Sequence, residues 1–250
     1  MAIQIRDVTF GYSLKHPVFE RLSIDLESFP AVVLGPNGAG KSTLLGLIVG
    51  HLKPKLGSIS VGGHARGKDP RRSRRTTGWL PQDVKPLSGF TARQQVAYAG
   101  WLKGLKYSAA WTSAAEALES VSLSDHAAQS ASKLSGGQRR RLGVAQALVH
   151  DPSFLILDEP YAGLDPEQRS SVRDTLLAVS AKTSLVVSTH QTEDLEDVYA
   201  HVLVIEGGRV IFSGSTAKFY EGVPESVAPA GRAEAAYRQI LERSRSSEPS

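Results

Sequence analysis

Nine consecutive residues, Gly35-Pro36-Asn37-Gly38-Ala39-Gly40-Lys41-Ser42-Thr43, combine glycine, lysine and hydroxyl side chains in a spacing that suits an anion. Glycine permits backbone turns that a Cβ would block, so the N–H groups from Gly38 to Thr43 can point inward at phosphate oxygens. The apolar runs Ala31–Leu34 before and Leu44–Val49 after read as a buried strand and a helix. GxxxxGK[ST] between a strand and a helix is the phosphate-binding loop pattern. A helix starting near Lys41 adds its positive end to the loop. Lys41 is then expected to reach β- and γ-phosphates, and the Ser42 hydroxyl to hold a bridging Mg²⁺.

Further along, Phe154-Leu155-Ile156-Leu157 runs straight into Asp158-Glu159, a buried strand delivering two carboxylates at its C-terminal edge. Asp158 suits Mg²⁺ and Glu159 suits proton abstraction from an attacking water. The other reading has them cap the next helix. Gln82 follows the apolar Gly78-Trp79-Leu80 and Pro81, at a strand terminus where ligands of parallel sheets bind. Leu134-Ser135-Gly136-Gly137-Gln138 opens a helix running from Arg139 to Val149. It is either an anion site of exposed N–H groups or an ordinary serine cap. Tyr12 either fills a turn or offers a ring to stack on adenine, and His190, ending the strand Ser184–Ser188, can donate to a γ-phosphate. Asp165-Pro166 reads as N-cap and first residue of a helix reaching about Val179.

The elements that must carry these residues alternate between strands and helices, an α/β pattern. Ile3, Ile5, Val8 and Phe10, then Leu22, Ile24 and Leu26, alternate with polar residues as half-buried antiparallel strands do. From Thr91 to Val121 the apolar residues take helical spacing, an inserted helical stretch in which Trp101 and Trp111 are expected to pack. Val202–Glu206 and Arg209–Phe212 form a hairpin around Gly207-Gly208. A tail from Val223 carries a short helix over Arg232–Arg243.

Composition bounds the rest. The 250 residues are 41% hydrophobic and 22% charged, enough for a sizeable core. With no cysteine, disulfides and cysteine zinc sites are excluded. No apolar run approaches membrane-spanning length and the N-terminus has no basic-to-apolar leader, so the polypeptide is expected to be soluble by itself. The net charge of +4 is concentrated in Arg71–Arg75 and Arg139–Arg141, read as solvated loop and helix faces.

In order and approximate spacing, the phosphate loop, Gln82, Leu134–Gln138, Phe154–Glu159, Asp165 and His190 resemble the ATP-binding-cassette (ABC) ATPases, specifically the nucleotide-binding subunits of ABC transporters. The resemblance spans roughly residues 2–220, and the Leu-Ser-Gly-Gly-Gln sequence is its most specific part. It implies a RecA-like P-loop NTPase core with an antiparallel β-subdomain and an inserted α-helical subdomain near 83–150, an ATPase domain over 1–222 and a tail over 223–250. By resemblance Gly35 to Thr43 bind ATP and Mg²⁺, Tyr12 stacks on adenine, and Gln82 contacts the metal and the water. Glu159 is the general base and His190 the γ-phosphate switch. Ser135, Gly136, Gly137 and Gln138, with Asp165, meet the ATP of a second subunit in a homodimer or heterodimer. Tyr161 departs from the threonine or phenylalanine usual after Glu-Pro, with no loss of chemistry expected. The same resemblance implies a separate transmembrane permease, a location on the inner face of the cell membrane, and an exporter-type system suggested by Phe90-Thr91 and Gln95–Gly104. The docking surface for the permease runs from Val84 to Trp101, with Phe90 and Tyr98 lining it, although Tyr98 can equally be core. A soluble ATPase contacting nucleic acid or ribosomes through Arg71–Arg75 is the rival. No nucleic-acid partner is expected, because the long coiled-coil inserts and cysteine modules of such families are absent.

Overall fold

A computed structural model describes residues 2–13, 16–66, 72, 75–195 and 198–246. The chain divides into two compact units, one formed by residues up to 65 together with those from 186 onward, the other by residues 66–185.

The first unit holds two sheets. In the antiparallel one, β1 (Ile3–Phe10) lies between β2 (Phe19–Leu26) and β4 (Leu56–Val61), and β5 (His64–Ala65) pairs with β4. The alternation read from the sequence sets the register, with Ile3 opposite Leu26 and Ile5 opposite Ile24. These apolar side chains are buried, and the polar residues between them are more exposed. In the other sheet β3 (Ala31–Leu34) runs parallel to both β8 (Ser184–Thr189) and β9 (His201–Glu206). Parallel strands are commonly buried on both faces, and accordingly all of Ala31–Leu34 is buried. β10 (Arg209–Ser215) closes the hairpin on β9, with Glu206 opposite Arg209. Helix α1 (Lys41–Val49) follows β3 and is buried along almost its whole length. Its fully enclosed Leu44, Leu45, Leu47 and Ile48 contribute about 1.5–3 kcal/mol each by leaving water.

In the second unit β6 (Thr77–Leu80) and β7 (Phe154–Asp158) pair in parallel, Leu80 beside Leu157. The helical stretch is two helices, α2 (Ala92–Leu102) and α3 (Tyr107–Ser120), followed by α4 (Gly136–Leu148). α2 starts at a reciprocal cap in which Thr91 accepts from the Gln94 N–H and Gln94 accepts from the Thr91 N–H. Gly104, with φ 94°, breaks the stretch between α2 and α3. Helix α5 (Pro166–Ser180) starts at Asp165 and Pro166 as expected. In the first unit, α6 (Thr216–Phe219) and α7 (Pro229–Ser246) end the chain. α7 is longer than the expected Arg232–Arg243 because Pro229 is compatible with a first helical position.

Two expectations fail. Trp101 is 54% exposed, stacked on Tyr98 at a centroid distance of 5.9 Å, because α2 buries its opposite face through Ala92, Gln95, Val96 and Gly100. Arg140 is 8% exposed and no solvated cation, because it falls on the buried stripe Gly137, Arg140, Val144, Ala147 of α4. Of the basic stretch, Arg71, Ser73 and Arg74 lie outside the described residues. Among those described, no helix is long and apolar enough to cross a membrane.

Candidate functional site

In the first unit the loop between β3 and α1 is shaped by two left-handed glycines, Gly38 at φ 82° and Gly40 at φ 106°. Gly40 passes so close to Phe19 that an added Cβ would meet its ring at 2.8 Å, and Gly35 comes closer still to the Ile205 carbonyl. The hairpin β9–β10 fastens the loop from behind, the Gly208 N–H donating to the Ala39 carbonyl at 3.2 Å. Lys41, expected to reach phosphates, is 5% exposed, its Nζ donating to the carbonyls of Gly35 at 2.8 Å and Pro36 at 3.1 Å. The amine therefore bridges the loop it follows, while the Ser42 side chain is exposed.

Two further expected residues stand beside this loop. Tyr12 presents a 73% exposed ring, edge-on to Phe10, with its hydroxyl 3.2 Å from Thr43 Oγ1. His190 follows Thr189, whose partner in the neighbouring strand is Leu34 and whose carbonyl accepts from the Gly35 N–H at 3.4 Å. The turn after His190 is held by Thr189 Oγ1, which donates to Asp194 at 2.5 Å and accepts from the Gln191 N–H.

The second unit carries the remaining groups. β6 and β7 end side by side, which brings Gln82 and the Asp158-Glu159 pair to the same edge. Glu159 has φ 46°, in the left-handed region that few residues other than glycine adopt. The backbone thus departs from strand geometry at the second carboxylate. Arg140 ties this edge together, Nη1 donating to the carbonyls of Gln82 at 2.5 Å and Pro81 at 3.3 Å, and Nη2 to that of Ala162 at 3.4 Å. Burial draws its guanidinium below the ordinary value, against the opposing pull of Asp83, Asp158 and Glu159. Sequence reasoning passed over Arg140; its place on the apolar stripe of α4 was the available signal.

The serine and glycines form the first turn of α4. Ser135 Oγ accepts from the Gln138 N–H at 3.3 Å and Gln138 Oε1 accepts from the Ser135 N–H at 2.9 Å, so the serine cap is real and reciprocal. The Gln138 amide also meets His126 Nε2 at 3.0 Å. Asp165 caps α5 by accepting from the Gln168 N–H at 2.8 Å. Gln168 joins the two helix starts, its Oε1 accepting from the Gly137 N–H at 2.7 Å and its Nε2 donating to Asp165. Sequence reasoning did not name Gln168; Asp-x-x-Gln was the available signal.

A family profile described as ABC transporter matches residues 19–162, more than half of the chain. The chain belongs to the ABC transporter family. Within that family it resembles the linearmycin resistance ATP-binding protein LnrL of Bacillus subtilis (strain 168), 33% identical over 85% of this chain and 69% of the relative. The daunorubicin/doxorubicin resistance ATP-binding protein DrrA of Streptomyces peucetius is 34% identical over 78% of this chain, which spans only 59% of that relative. In fold the cassette matches a solved ATP-binding subunit of an ABC transporter with a TM-score of 0.80 at 22% identity, covering 96% of this chain and all of the other. The chain thus has the mixed α/β fold expected from its sequence.

A separate aromatic groove lies in the second unit. Phe90, Ala97, Tyr98, Trp101, Tyr107 and Trp111 line a cavity of about 350 Å³. Tyr98 and Tyr107 are exposed, and Arg93 sits 4.3 Å above the Trp111 ring.

Proposed function

We propose that this chain hydrolyses ATP as the cassette of an exporter-type ABC transporter, dimerising around two ATP molecules and driving a separate transmembrane permease from the inner face of the membrane. The ATPase domain runs over residues 1–222. The observation that carries the reading is Glu159, whose unusual backbone lifts a carboxylate out of strand alternation at a ligand-binding sheet edge.

Lys41 and the N–H groups of the loop bind the phosphates, Tyr12 supports the adenine, and His190 donates to the γ-phosphate. Glu159 takes the proton from the attacking water, which Gln82 orients. The Ser42 hydroxyl, the Asp158 carboxylate and the Gln82 amide oxygen are hard oxygen donors, the kind that fit Mg²⁺. When bound, Mg²⁺ neutralises charge developing on the phosphates. Ser135, Gly136, Gly137, Gln138 and Asp165 serve the ATP held by the other subunit. Removal of the γ-phosphate by hydrolysis releases that contact and reopens the dimer. The aromatic groove, with its exposed rings, receives a helix of the permease. The drug-resistance functions named for LnrL and DrrA support the exporter assignment.

The test is Glu159→Gln. The amide cannot accept the proton, so phosphate release stops while Mg-ATP still binds and holds a dimer detectable by size. Turnover at the parent rate would remove Glu159 from the mechanism.

A further inference from the structure

Helix α4 opens with the N–H groups that the proposed function assigns to the partner's γ-phosphate, and one of them, at Gly137, is taken by a side chain from outside the helix. A helix start leaves its first N–H groups without partners inside the helix. The Ser135–Gln138 box satisfies the Gln138 N–H. The Gly137 N–H instead donates to Gln168 Oε1 at 2.7 Å, a shorter bond than either of the two within the box. Gln168 also covers the residue: an added Cβ at Gly137 would lie 3.0 Å from its Oε1 and 3.1 Å from its Cγ. As a result Gly137 is buried while the preceding Ser135 and Gly136 are exposed. Beside this bond is a cleft of about 280 Å³ whose lining includes Gly137, Gln138 and Gln168 with the charged Arg141, Asp165 and Glu167. Arg141 gives that cleft a cation, held on the Val121 and Ser122 carbonyls at 3.3 and 3.1 Å.

We propose that Gln168 is an internal cap, a side chain that holds the Gly137 donor in the free subunit and yields it to the γ-phosphate of the partner's ATP. This rests on the proposed role of the α4 start in dimerisation. A neutral amide oxygen is a weaker acceptor than a phosphate oxygen, since hydrogen bonds to charged acceptors are shorter and about twice as strong. The exchange therefore favours the nucleotide, but its net gain is reduced by the strength of the bond that Gln168 gives up. An ADP-bound partner, lacking the γ-phosphate, leaves Gln168 in place. The cap thereby raises the ATP concentration needed for dimer closure and leaves the encounter with an ADP-bound partner unaffected. The second bond of the same amide, from Nε2 to Asp165, retains the side chain near its seat when the Gly137 N–H turns to phosphate.

The experiment uses the full chain in a Glu159→Gln background and follows the dimer fraction during titration with Mg-ATP and, separately, Mg-ADP. Gln168→Met keeps the stem over Gly137 and removes the acceptor. It should lower the ATP concentration for half-dimerisation by about fivefold per composite site, the fold-change of one ordinary hydrogen bond. Gln168→Glu places a charged acceptor there and should raise it. In the nucleotide-free chain, hydrogen exchange of the Gly137 amide should be slow in the parent and faster in Gln168→Met, a readout that general loosening of α5 does not reproduce if neighbouring amides are unchanged. Equal or weaker dimerisation of Gln168→Met, with the Glu159→Gln parent dimerising normally, overturns the cap and leaves the proposed function standing. A parent that does not dimerise with ATP overturns both. Should Gln168→Met melt early, Gln168→Ala repeats the comparison with the same expected direction.

Discussion

Replacing Arg140 with methionine removes the cation that joins three carbonyls at the carboxylate edge while keeping a chain of similar length to fill its channel. Of the three bonds, the one to Gln82 is short at 2.5 Å and those to Pro81 and Ala162 are long at 3.3 and 3.4 Å. One strong charge-assisted bond is worth about 1.5–3 kcal/mol, and the two long ones add little. Against this, methionine no longer has to bury a charge, which burial already disfavours at this position. Gln82 and Pro81 are exposed, so water can reach the abandoned acceptors. The net loss should be about 1–2 kcal/mol, equivalent to a melting temperature lower by about 2–8 °C for a chain of this size. The catalytic effect should be larger than that, because Gln82 loses its anchor: kcat falls while KM for ATP, set by the loop around Lys41, stays within about twofold. Thermal melting and steady-state phosphate release on Arg140→Met and Arg140→Lys measure both. An Arg140→Met chain with parental melting and parental kcat would refute the linkage of Arg140 to the edge, and a rise in KM alone would place its effect on ATP binding.

Other expectations follow from the same geometry. Lys41→Ala removes a bridge between two loop carbonyls as well as the phosphate contact, so nucleotide affinity should collapse and stability should drop by about 1 kcal/mol, both readable in a melting titration with ATP. Tyr12→Ala should weaken ATP by about 1 kcal/mol, roughly fivefold in Kd, and unchanged affinity would remove the ring from the adenine site. His150 is held at about pKa 4, chiefly by burial and next by Lys103, below its ordinary 6.5, and its Nδ1 has no partner among the described residues. Its folded value is depressed, so the stability it allows is present above pH 6.5 and is lost as pH falls toward 4, up to about 3 kcal/mol. His150→Gln should flatten that part of the denaturant-stability profile. Phe90→Asp should leave ATP hydrolysis by the isolated subunit nearly intact but abolish co-purification with a permease encoded beside it and transport by the pair; unchanged association would move the docking surface elsewhere.

What could be read in advance was local. The glycine loop, the alternation of β1 and β2 and the caps at Ser135 and Asp165 each depend on residues a few positions apart, where chain geometry decides the outcome. The burial of other side chains depends on their surroundings in the fold. Lys41 is buried because the carbonyls of its own loop turn toward it, and Arg140 because carbonyls at residues 81, 82 and 162 converge on one face of α4. The hold of Gly208 on Ala39 joins residues far apart in sequence. Exposure of Trp101 follows from which face of α2 packs, and its sequence offers apolar residues on both faces.

The left-handed backbone of Glu159 has a consequence for how this chain would evolve under heat. A non-glycine residue held there costs about 1–2 kcal/mol, which glycine would recover in part and offset in part through its greater freedom when unfolded. Selection for thermal resistance alone would therefore drift toward Glu159→Gly, a more durable protein that has surrendered its proposed proton acceptor. Glutamate at so uncomfortable a position is then a record of use, and a library sorted first by melting and then by turnover should separate into opposite choices at this one residue.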